Sequence, residues 1–244
     1  MSRIRLVLLS MLAVLALGAA ASASASAQRF FGPTCSKEDA GSEPPVKYDT
    51  IACNSKTKPL PEREFQFKEI ASGTKVKGTS TVSTLSATIS GSTLTIECET
   101  DKFKGTLGTK GASSGTTIEY KKCKVTGAFA STCTVPGTLT TNTLKDQLSS
   151  SGRIEDTFEP ETTGGTFIEI PVTGGSCSIE HTYPIKGKQT CEVDSTNAEA
   201  ETLAATHKLI CKTSGSALKL GSNAATYEGN ATIELEGGGN WATE

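Results

Sequence analysis

The stretch LTIECE, residues 94–99, shows most directly how this chain folds. Apolar and polar side chains alternate along it, so that Leu94, Ile96 and Cys98 share one face and the intervening residues share the other. A period of two is the side-chain period of a β-strand with one buried face. The stretch therefore predicts a half-buried strand whose cysteine points into the core.

The same alternation recurs along most of the chain. The further runs are Leu85-Ala87-Ile89, Ile168-Ile170-Val172, Cys177-Ile179-His181-Tyr183, Leu209-Cys211 and Ala231-Ile233-Leu235. Turn signals rich in Gly and Ser separate the runs at short intervals, as in sandwiches and barrels. The prediction is an all-β fold, an antiparallel β-sandwich or barrel. A change of parity between Ile118-Tyr120 and Cys123-Val125 predicts a bulge at Lys121-Lys122.

Two segments lack the strand pattern. Residues 149–165 are polar and acidic, which predicts a long loop. Residues 195–206 have a helical composition but only a thin apolar stripe, so we expect strand or loop in preference to a helix. An aromatic-x-Gly pattern also occurs twice, at Phe103-x-Gly105 and Tyr227-x-Gly229, each time after a Ser-Gly-Ser turn. Either two copies of one hairpin unit or simple convergence of Gly/Ser turns explains it, and we favour convergence.

The N-terminus has the pattern of an export signal. Arg3 and Arg5 precede an apolar run over residues 6–20, and an Ala-Ser alternation ends at Ala27. A basic start, an apolar middle and small residues at the end are the three parts of a secretory signal peptide. We therefore expect cleavage before Gln28 and a secreted, extracytoplasmic protein.

The expected organisation has three parts. These are a signal peptide over residues 1–27, an N-terminal cysteine-bearing segment over 28–78 packed on the main domain, and an all-β domain over 79–244. No second apolar run approaches the roughly 20 residues that span a bilayer. Cys35, the first cysteine, lies well past the cleavage point where a lipoprotein needs one, and no LPxTG-like sorting motif occurs. We expect a mature form without a membrane anchor.

The charge balance bounds the partners. The chain has 24 Lys and Arg against 26 Asp and Glu, and loss of Arg3 and Arg5 with the signal makes the remainder more acidic. Binding to nucleic acid or to anionic lipid needs clustered positive charge. We therefore expect no nucleic-acid partner, and a cell-wall polymer or another extracellular protein remains as the partner class.

The chain has an even number of cysteines: Cys35, Cys53, Cys98, Cys123, Cys133, Cys177, Cys191 and Cys211. Export places cysteines where disulfides persist. No two of them have the C-x₂₋₄-C spacing of a zinc site, so we expect disulfides and no metal or cofactor. Eight cysteines allow 105 connectivities, and Cys35 and Cys53 are close enough in sequence to close a local loop.

Several short motifs occur in a recognisable order. They are Cys35, Tyr48, Cys53, LTIEC at 94–98, YKKC at 120–123, Cys133, GTLTTNTL at 137–144, FEP at 158–160, Phe167, Cys177, IKG at 185–187, HKL at 207–209 and YEG at 227–229. In this order the chain, over residues 30 to 241, resembles a family of uncharacterised secreted cysteine-containing all-β proteins of soil actinobacteria. The resemblance implies an all-β, export-competent domain and no known activity. Cys191 and Cys211 are additional to the family pattern, so their bridges are expected to be particular to this chain.

The segment Gly111-Ala112-Ser113-Ser114-Gly115 matches the G-x-S-x-G of a nucleophile elbow. That chemistry needs a strand before the serine and a helix after it, which hold the hydroxyl on a strained turn. Residues 116–120 instead have the pattern of a strand. We therefore expect a Gly/Ser hairpin loop without a catalytic serine.

His181 and His207 are the two histidines of the chain. Either can serve as a general base with a carboxylate such as Glu180 or Asp156 as its orienter. A lone histidine on a core face is more often a hydrogen-bonded part of the scaffold, which we favour. A Ser-His-Asp triad stays open, because its members need not be close in sequence.

Acidic residues cluster between Glu155 and Glu161. Paired carboxylates hydrolyse glycosides in some enzymes, and carboxylate oxygens bind calcium in others. The cluster lacks the spacing of a calcium loop, so we expect a solvated loop. We assign no catalytic, cofactor-binding or metal residue.

The functional expectation is a non-enzymatic structural or binding protein of the cell envelope or exterior. One alternative is a carbohydrate- or cell-wall-binding module, although a single tryptophan, Trp241, supplies few rings on which sugars stack. The other is a secreted hydrolase with a dispersed site.

Overall fold

The computed structural model describes residues 28–37, 65–150 and 152–243. In chain order their elements are β1 Phe30–Lys37, β2 Phe65–Glu69, β3 Lys75–Ile89, β4 Ser92–Cys98, β5 Thr100–Leu107, β6 Ala112–Lys121, β7 Lys124–Gly127, β8 Thr138–Thr140, β9 Leu144–Ser150, β10 Ile154–Pro160, β11 Ile168–Val172, β12 His181–Val193, α1 Asn197–Ala200, β13 Thr206–Leu220, β14 Asn223–Leu235 and β15 Ala242–Thr243. The predicted signal peptide, residues 1–27, lies outside the described residues. The predicted boundary at 78/79 falls within β3.

Eight strands close into an antiparallel barrel. Their order around the barrel is β3, β5, β6, β9, β10, β12, β13 and β14, and β14 pairs again with β3. A closed ring of eight strands has an interior that side chains fill or that holds one small ligand. The all-β expectation is confirmed, in its barrel form.

The longest strands extend beyond this ring. The first half of β3 pairs with β5 and its second half pairs with β4, with a bulge between Ser80 and Ser83. In the same way the start of β12 pairs with β11 and its later part with β10. Strands β7 and β8 pair with β4 and β6. The sheet therefore continues outside the eight-stranded ring through β4, β7, β8 and β11.

Alternate residues of the strands form the core, as the sequence predicts. In β4, Leu94, Ile96 and Cys98 are buried while the residues between them are only half-buried. In β11, Ile168, Ile170 and Val172 are buried in the same way. The predicted inward orientation of Cys98 is confirmed.

The predicted loop over residues 149–165 is wrong. Strands β9 and β10 form an antiparallel hairpin in this region, paired from Leu144–Pro160 to Ser150–Ile154. The burial of Ile154, Asp156, Phe158 and Pro160 alternates with that of the residues between them. An aspartate at an inward position made this strand look like a solvated acidic loop.

Three smaller expectations also need correction. The run from Cys177 to Tyr183 was predicted as one strand, but residues 177–180 form turns and β12 begins only at His181, which is exposed. The disulfide between Cys133 and Cys177 fixes the loop that precedes this strand. A bulge was predicted at Lys121-Lys122, but β6 ends at Lys121. The parity change results from this strand end and from the φ of 54° at Lys122. Residues 197–200 form one helical turn, because the Thr196 side chain accepts a hydrogen bond from the Glu199 N–H.

A small sheet of β15, β1 and β2 packs beside the turn between β5 and β6. Phe30 of β1 contacts the ring of Trp241, with 5.9 Å between ring centroids. Gly111 in the turn has φ of +69°, and a Cβ there would lie 2.2 Å from the Gln28 carbonyl oxygen. Only glycine permits so close an approach.

Three disulfides join described residues: Cys98–Cys123, Cys133–Cys177 and Cys191–Cys211. Cys35 is also disulfide-bonded, while Cys53 lies outside the described residues. The bridges close loops of 25, 44 and 20 residues, which corresponds to about 3–4 kcal/mol each by chain entropy. Disulfides of this number point to an oxidising, extracytoplasmic environment. Within the described ranges, no helix is long and apolar enough to cross a membrane.

Candidate functional site

A cavity of about 100 Å³ lies inside the barrel. Its wall is mostly apolar, with Phe103, Leu139, Phe158, Ile168, Ile185 and Leu218 among the residues that line it. Small residues on two neighbouring strands leave the space open: Ser80 and Ser83 on β3, and Gly229 and Ala231 on β14. The cavity therefore results from small side chains at inward positions of β3 and β14.

Two facing bulges lie in the wall of the cavity. The pairing of β3 with β14 shifts between Ser80 and Ser83 on one strand and between Gly229 and Ala231 on the other. Thr79 and Asn230, both exposed, also line the cavity. The wall at the two bulges is therefore the part of the cavity lining that lies nearest to solvent.

A carboxyl group occupies the polar side of the cavity. Asp101 lies at an inward position of β5 and is 5% exposed. It accepts hydrogen bonds from Ser80 Oγ at 2.8 Å, Ser83 Oγ at 3.1 Å and Tyr227 Oη at 3.5 Å. Burial raises the pKa of Asp101, and the three hydroxyl donors oppose that rise.

Two tyrosines complete the polar side. The rings of Tyr120 and Tyr227 meet edge to face with 6.3 Å between centroids, and the Tyr227 hydroxyl donates to Asp101 Oδ2. Burial, followed by neighbouring groups such as the Asp101 carboxylate, raises the pKa of both hydroxyls. Both therefore stay protonated at neutral pH and can donate hydrogen bonds.

A second acidic cluster lies in the barrel but does not line the cavity. Asp146 accepts hydrogen bonds from Ser113 Oγ and from Thr116 Oγ1, the latter at 2.9 Å. Asp156 Oδ1 is buried without a hydrogen-bond partner. Burial raises the pKa of both carboxyls, and the charge of Asp146 raises that of Asp156 further. The prediction of Asp156 on a solvated loop is wrong, since its side chain points into the barrel.

The serine of the G-x-S-x-G segment is not on a nucleophile elbow. Ser113 lies within β6, and its hydroxyl donates to Asp146. The predicted hairpin loop is shorter than the segment, because the turn ends at Gly111 and the strand has already begun at Ala112. A strand follows the serine where an elbow needs a helix.

The two histidines have different surroundings. His207 Nδ1 lies 2.5 Å from Asp194 Oδ2, and its Nε2 lies 2.7 Å from the Trp241 carbonyl oxygen. With both ring nitrogens engaged and 2% of the residue exposed, His207 has no free nitrogen for a substrate or a serine. His181 is exposed and contacts the ring of Tyr183 edge to face. The two contacts and the burial of His207 support the interpretation of that histidine as part of the scaffold.

Trp241 cannot serve as a sugar-stacking platform, since it is 2% exposed. Its ring packs between Phe30 and His207. No group of three or more His, Cys, Asp or Glu side chains is arranged to hold a metal ion in the described ranges.

Comparisons with protein-family models, with curated proteins and with solved structures found no match to this chain. The resemblance to secreted actinobacterial proteins therefore stays a prediction.

The residues that form the polar side of the cavity were not predicted from the sequence. In β5 the alternation Asp101, Phe103, Gly105, Leu107 faces inward and Lys102 and Lys104 face outward. This parity was a usable signal that Asp101 points into the barrel. Its meeting with Tyr120 and Tyr227 depends on barrel closure, which local sequence patterns do not reveal.

Proposed function

We propose that this chain is an exported, non-enzymatic binding protein and that the barrel cavity is its ligand site. The single observation that carries the proposal is the cavity, an apolar space with one polar side and with exposed residues in its wall at two facing bulges. Ligand sites in proteins generally have this composition, with a few placed polar groups in an apolar wall.

The size of the cavity limits what it can hold. An engineered apolar cavity of about 150 Å³ binds benzene, which has six carbon atoms. A cavity of about 100 Å³ accordingly takes a slender group of roughly four or five non-hydrogen atoms. The ligand is a small molecule or the narrow end of a larger one.

Two features support an extracellular place of work. The first is the signal-peptide pattern that ends at Ala27. The second is the set of disulfides, which persist in oxidising compartments. The resemblance to secreted proteins of soil actinobacteria agrees with both.

Binding can be tested with 1-butanol as a probe of the cavity. Ala231 lines the cavity, and Ala231→Leu would add three carbon atoms to that space. Ala224 is exposed on the same strand, so Ala224→Leu is a matched control. We expect calorimetric titration to give about millimolar affinity for the wild type and for Ala224→Leu, and none for Ala231→Leu. Equal binding to both variants, or no binding to the wild type, contradicts the proposal.

A second candidate function is contact with an anionic cell-wall polymer. Lys77 and Lys104 lie directly opposite each other on β3 and β5, and exposed Lys102 lies nearby opposite Thr79. Like charges in opposite positions destabilise a sheet, but Lys77 is paired with Glu234 at 3.1 Å and Glu119 lies opposite Lys102. An anionic polymer would therefore bind chiefly at Lys104 and would compete with these two carboxylates for the other lysines. Trp241 is buried and cannot stack on a sugar ring. Any contact with a cell-wall polymer would therefore depend on charge.

Sedimentation with isolated cell walls tests this candidate. The double variant Lys102→Glu/Lys104→Glu should leave the protein in the supernatant. Lys186→Glu/Lys219→Glu, which also changes two opposed lysines on β12 and β13, should still sediment. Equal loss in both variants would indicate nonspecific attraction and exclude a dedicated surface.

A further inference from the structure

The carboxyl group in the cavity has no positively charged partner among the residues that the structure describes. Asp101 takes part in none of the ion pairs that the described residues form. Its partners are three hydroxyl groups. Buried charges in proteins are normally paired with an opposite charge. The described strands of the barrel thus supply no positive charge that would complement Asp101.

The hydrogen bonds of Asp101 leave room for one more donor. A carboxylate offers about four acceptor positions, and Ser80, Ser83 and Tyr227 use three of them. Burial raises the pKa of the Asp101 carboxyl, as expected for an acid that is short of positive charge. A cationic donor in the cavity would supply both the missing hydrogen bond and the missing charge.

The surrounding rings are suited to a cation as well. Tyr120 and Tyr227 line the cavity beside Asp101 and stand edge to face. Tyrosine rings attract ammonium groups through their electron-rich faces. A carboxylate together with two aromatic rings is a recognition set for an ammonium group, and the apolar wall beyond them accepts a hydrocarbon chain.

We infer that the ligand of this cavity is a small organic cation, a primary ammonium group on a short apolar body that lies against Asp101. The inference rests on the proposed function, because it names the ligand class for the same cavity. A neutral alcohol of the same length would fill the apolar part and lack the charge. A carboxylate of that length would be repelled.

Calorimetric titration with three four-carbon probes separates these classes. The probes are n-butylammonium chloride, 1-butanol and sodium butyrate, added to the oxidised wild-type protein at pH 7.5. We expect the ammonium probe to bind at least tenfold more tightly than the alcohol, and butyrate not to bind. If 1-butanol binds as tightly as the ammonium probe, the cation is excluded while the binding function stands. If no probe binds, both proposals fail.

Two variants connect the preference to Asp101. Asp101→Asn should still bind 1-butanol, which shows that the barrel and the cavity are intact, and should lose the tenfold preference for the ammonium probe. Glu228→Gln removes a carboxylate from the outer side of β14, next to Tyr227 in sequence, and should keep the preference. A preference that survives in Asp101→Asn overturns the inference. If Asp101→Asn does not fold, the comparison of the three probes on the wild-type protein still decides whether the cavity prefers a cation.

Discussion

The hydroxyl of Tyr227 lies over Gly229, two residues further along the same face of β14. A Cβ atom on Gly229 would be 2.9 Å from Tyr227 Oη, so the tyrosine occupies the space that a side chain would need. Gly105 of β5 differs, because a Cβ there would lie 2.7 Å from Thr116 Oγ1 and only 3.6 Å from Phe103 Cζ. Aromatic rings that cover strand glycines are a known device of β-barrels. The Tyr227-x-Gly229 copy of the aromatic-x-Gly pattern therefore has a packing cause in its tyrosine.

Gly229→Ala should destabilise the barrel by about 1–3 kcal/mol. The added methyl group displaces the Tyr227 hydroxyl from Asp101 and approaches Ser83 Cβ at 3.2 Å. Urea denaturation at neutral pH measures the loss. Gly137→Ala is the control, because a Cβ there meets nothing within 4 Å, and it should leave stability unchanged or slightly higher. Equal effects of the two variants would show that Tyr227 is not packed as described.

Asp156→Asn should stabilise the protein at pH 7. Burial, and next the charge of Asp146, raises the pKa of Asp156 in the folded state. The folded state then holds this proton more tightly than the unfolded state, so stability is highest below the unfolded pKa of about 3.9 and falls as the pH rises. An asparagine is neutral throughout and avoids this loss.

The pH dependence distinguishes this effect from a general improvement in packing. Urea denaturation at pH 7 and at pH 3.5 should show a gain for Asp156→Asn that becomes small at the lower pH. Glu161→Gln, at an exposed position just beyond β10, should change stability little at either pH. A gain of the same size at both pH values would contradict the assignment to ionisation of Asp156.

His207→Leu should cost about 3 kcal/mol or more. It leaves the Asp194 carboxylate and the Trp241 carbonyl oxygen without the ring nitrogens that they contact. His181→Ala should change the free energy of unfolding by less than about 0.5 kcal/mol, because His181 is exposed. Chemical denaturation of both variants gives the comparison, and similar small effects would mean that His207 is not part of the scaffold.

Peptide mapping of the exported protein without reduction should identify Cys98–Cys123, Cys133–Cys177 and Cys191–Cys211 among the linked pairs, and Cys35 in a further bridge. The same mass spectra should show Gln28 at the N-terminus and no alkylatable thiol. Other pairings among these six cysteines would contradict the strand register, since Cys191 and Cys211 lie directly opposite each other on β12 and β13. An intact residue 1–27 segment would contradict export by signal cleavage.

Much of the fold could be predicted because buried strands alternate visibly in sequence, as residues 94–98 and 168–172 do. Alternation could not choose between a sandwich and a barrel. The choice depends on the pairing of β14 with β3, which joins residues far apart in the chain through backbone hydrogen bonds. The hairpin of β9 and β10 was missed because Asp156 occupies an inward position that a hydrophobic pattern assigns to an apolar residue.

The candidate site was less predictable than the fold. Asp101 shares strand parity with Phe103, so its inward direction could have been read from the sequence. Its contacts with Ser80 and Ser83 require the bulge in β3, and its contact with Tyr227 requires barrel closure. Both are properties of the assembled sheet.

The most direct test of the account is a crystal structure of the oxidised protein grown with 1-butanol. We predict one alcohol molecule inside the barrel, with its chain among Leu139, Phe158 and Ile185 and its hydroxyl toward Asp101. A barrel interior filled by side chains, or an alcohol found only on the outer surface, would contradict the claim that this cavity is a binding site.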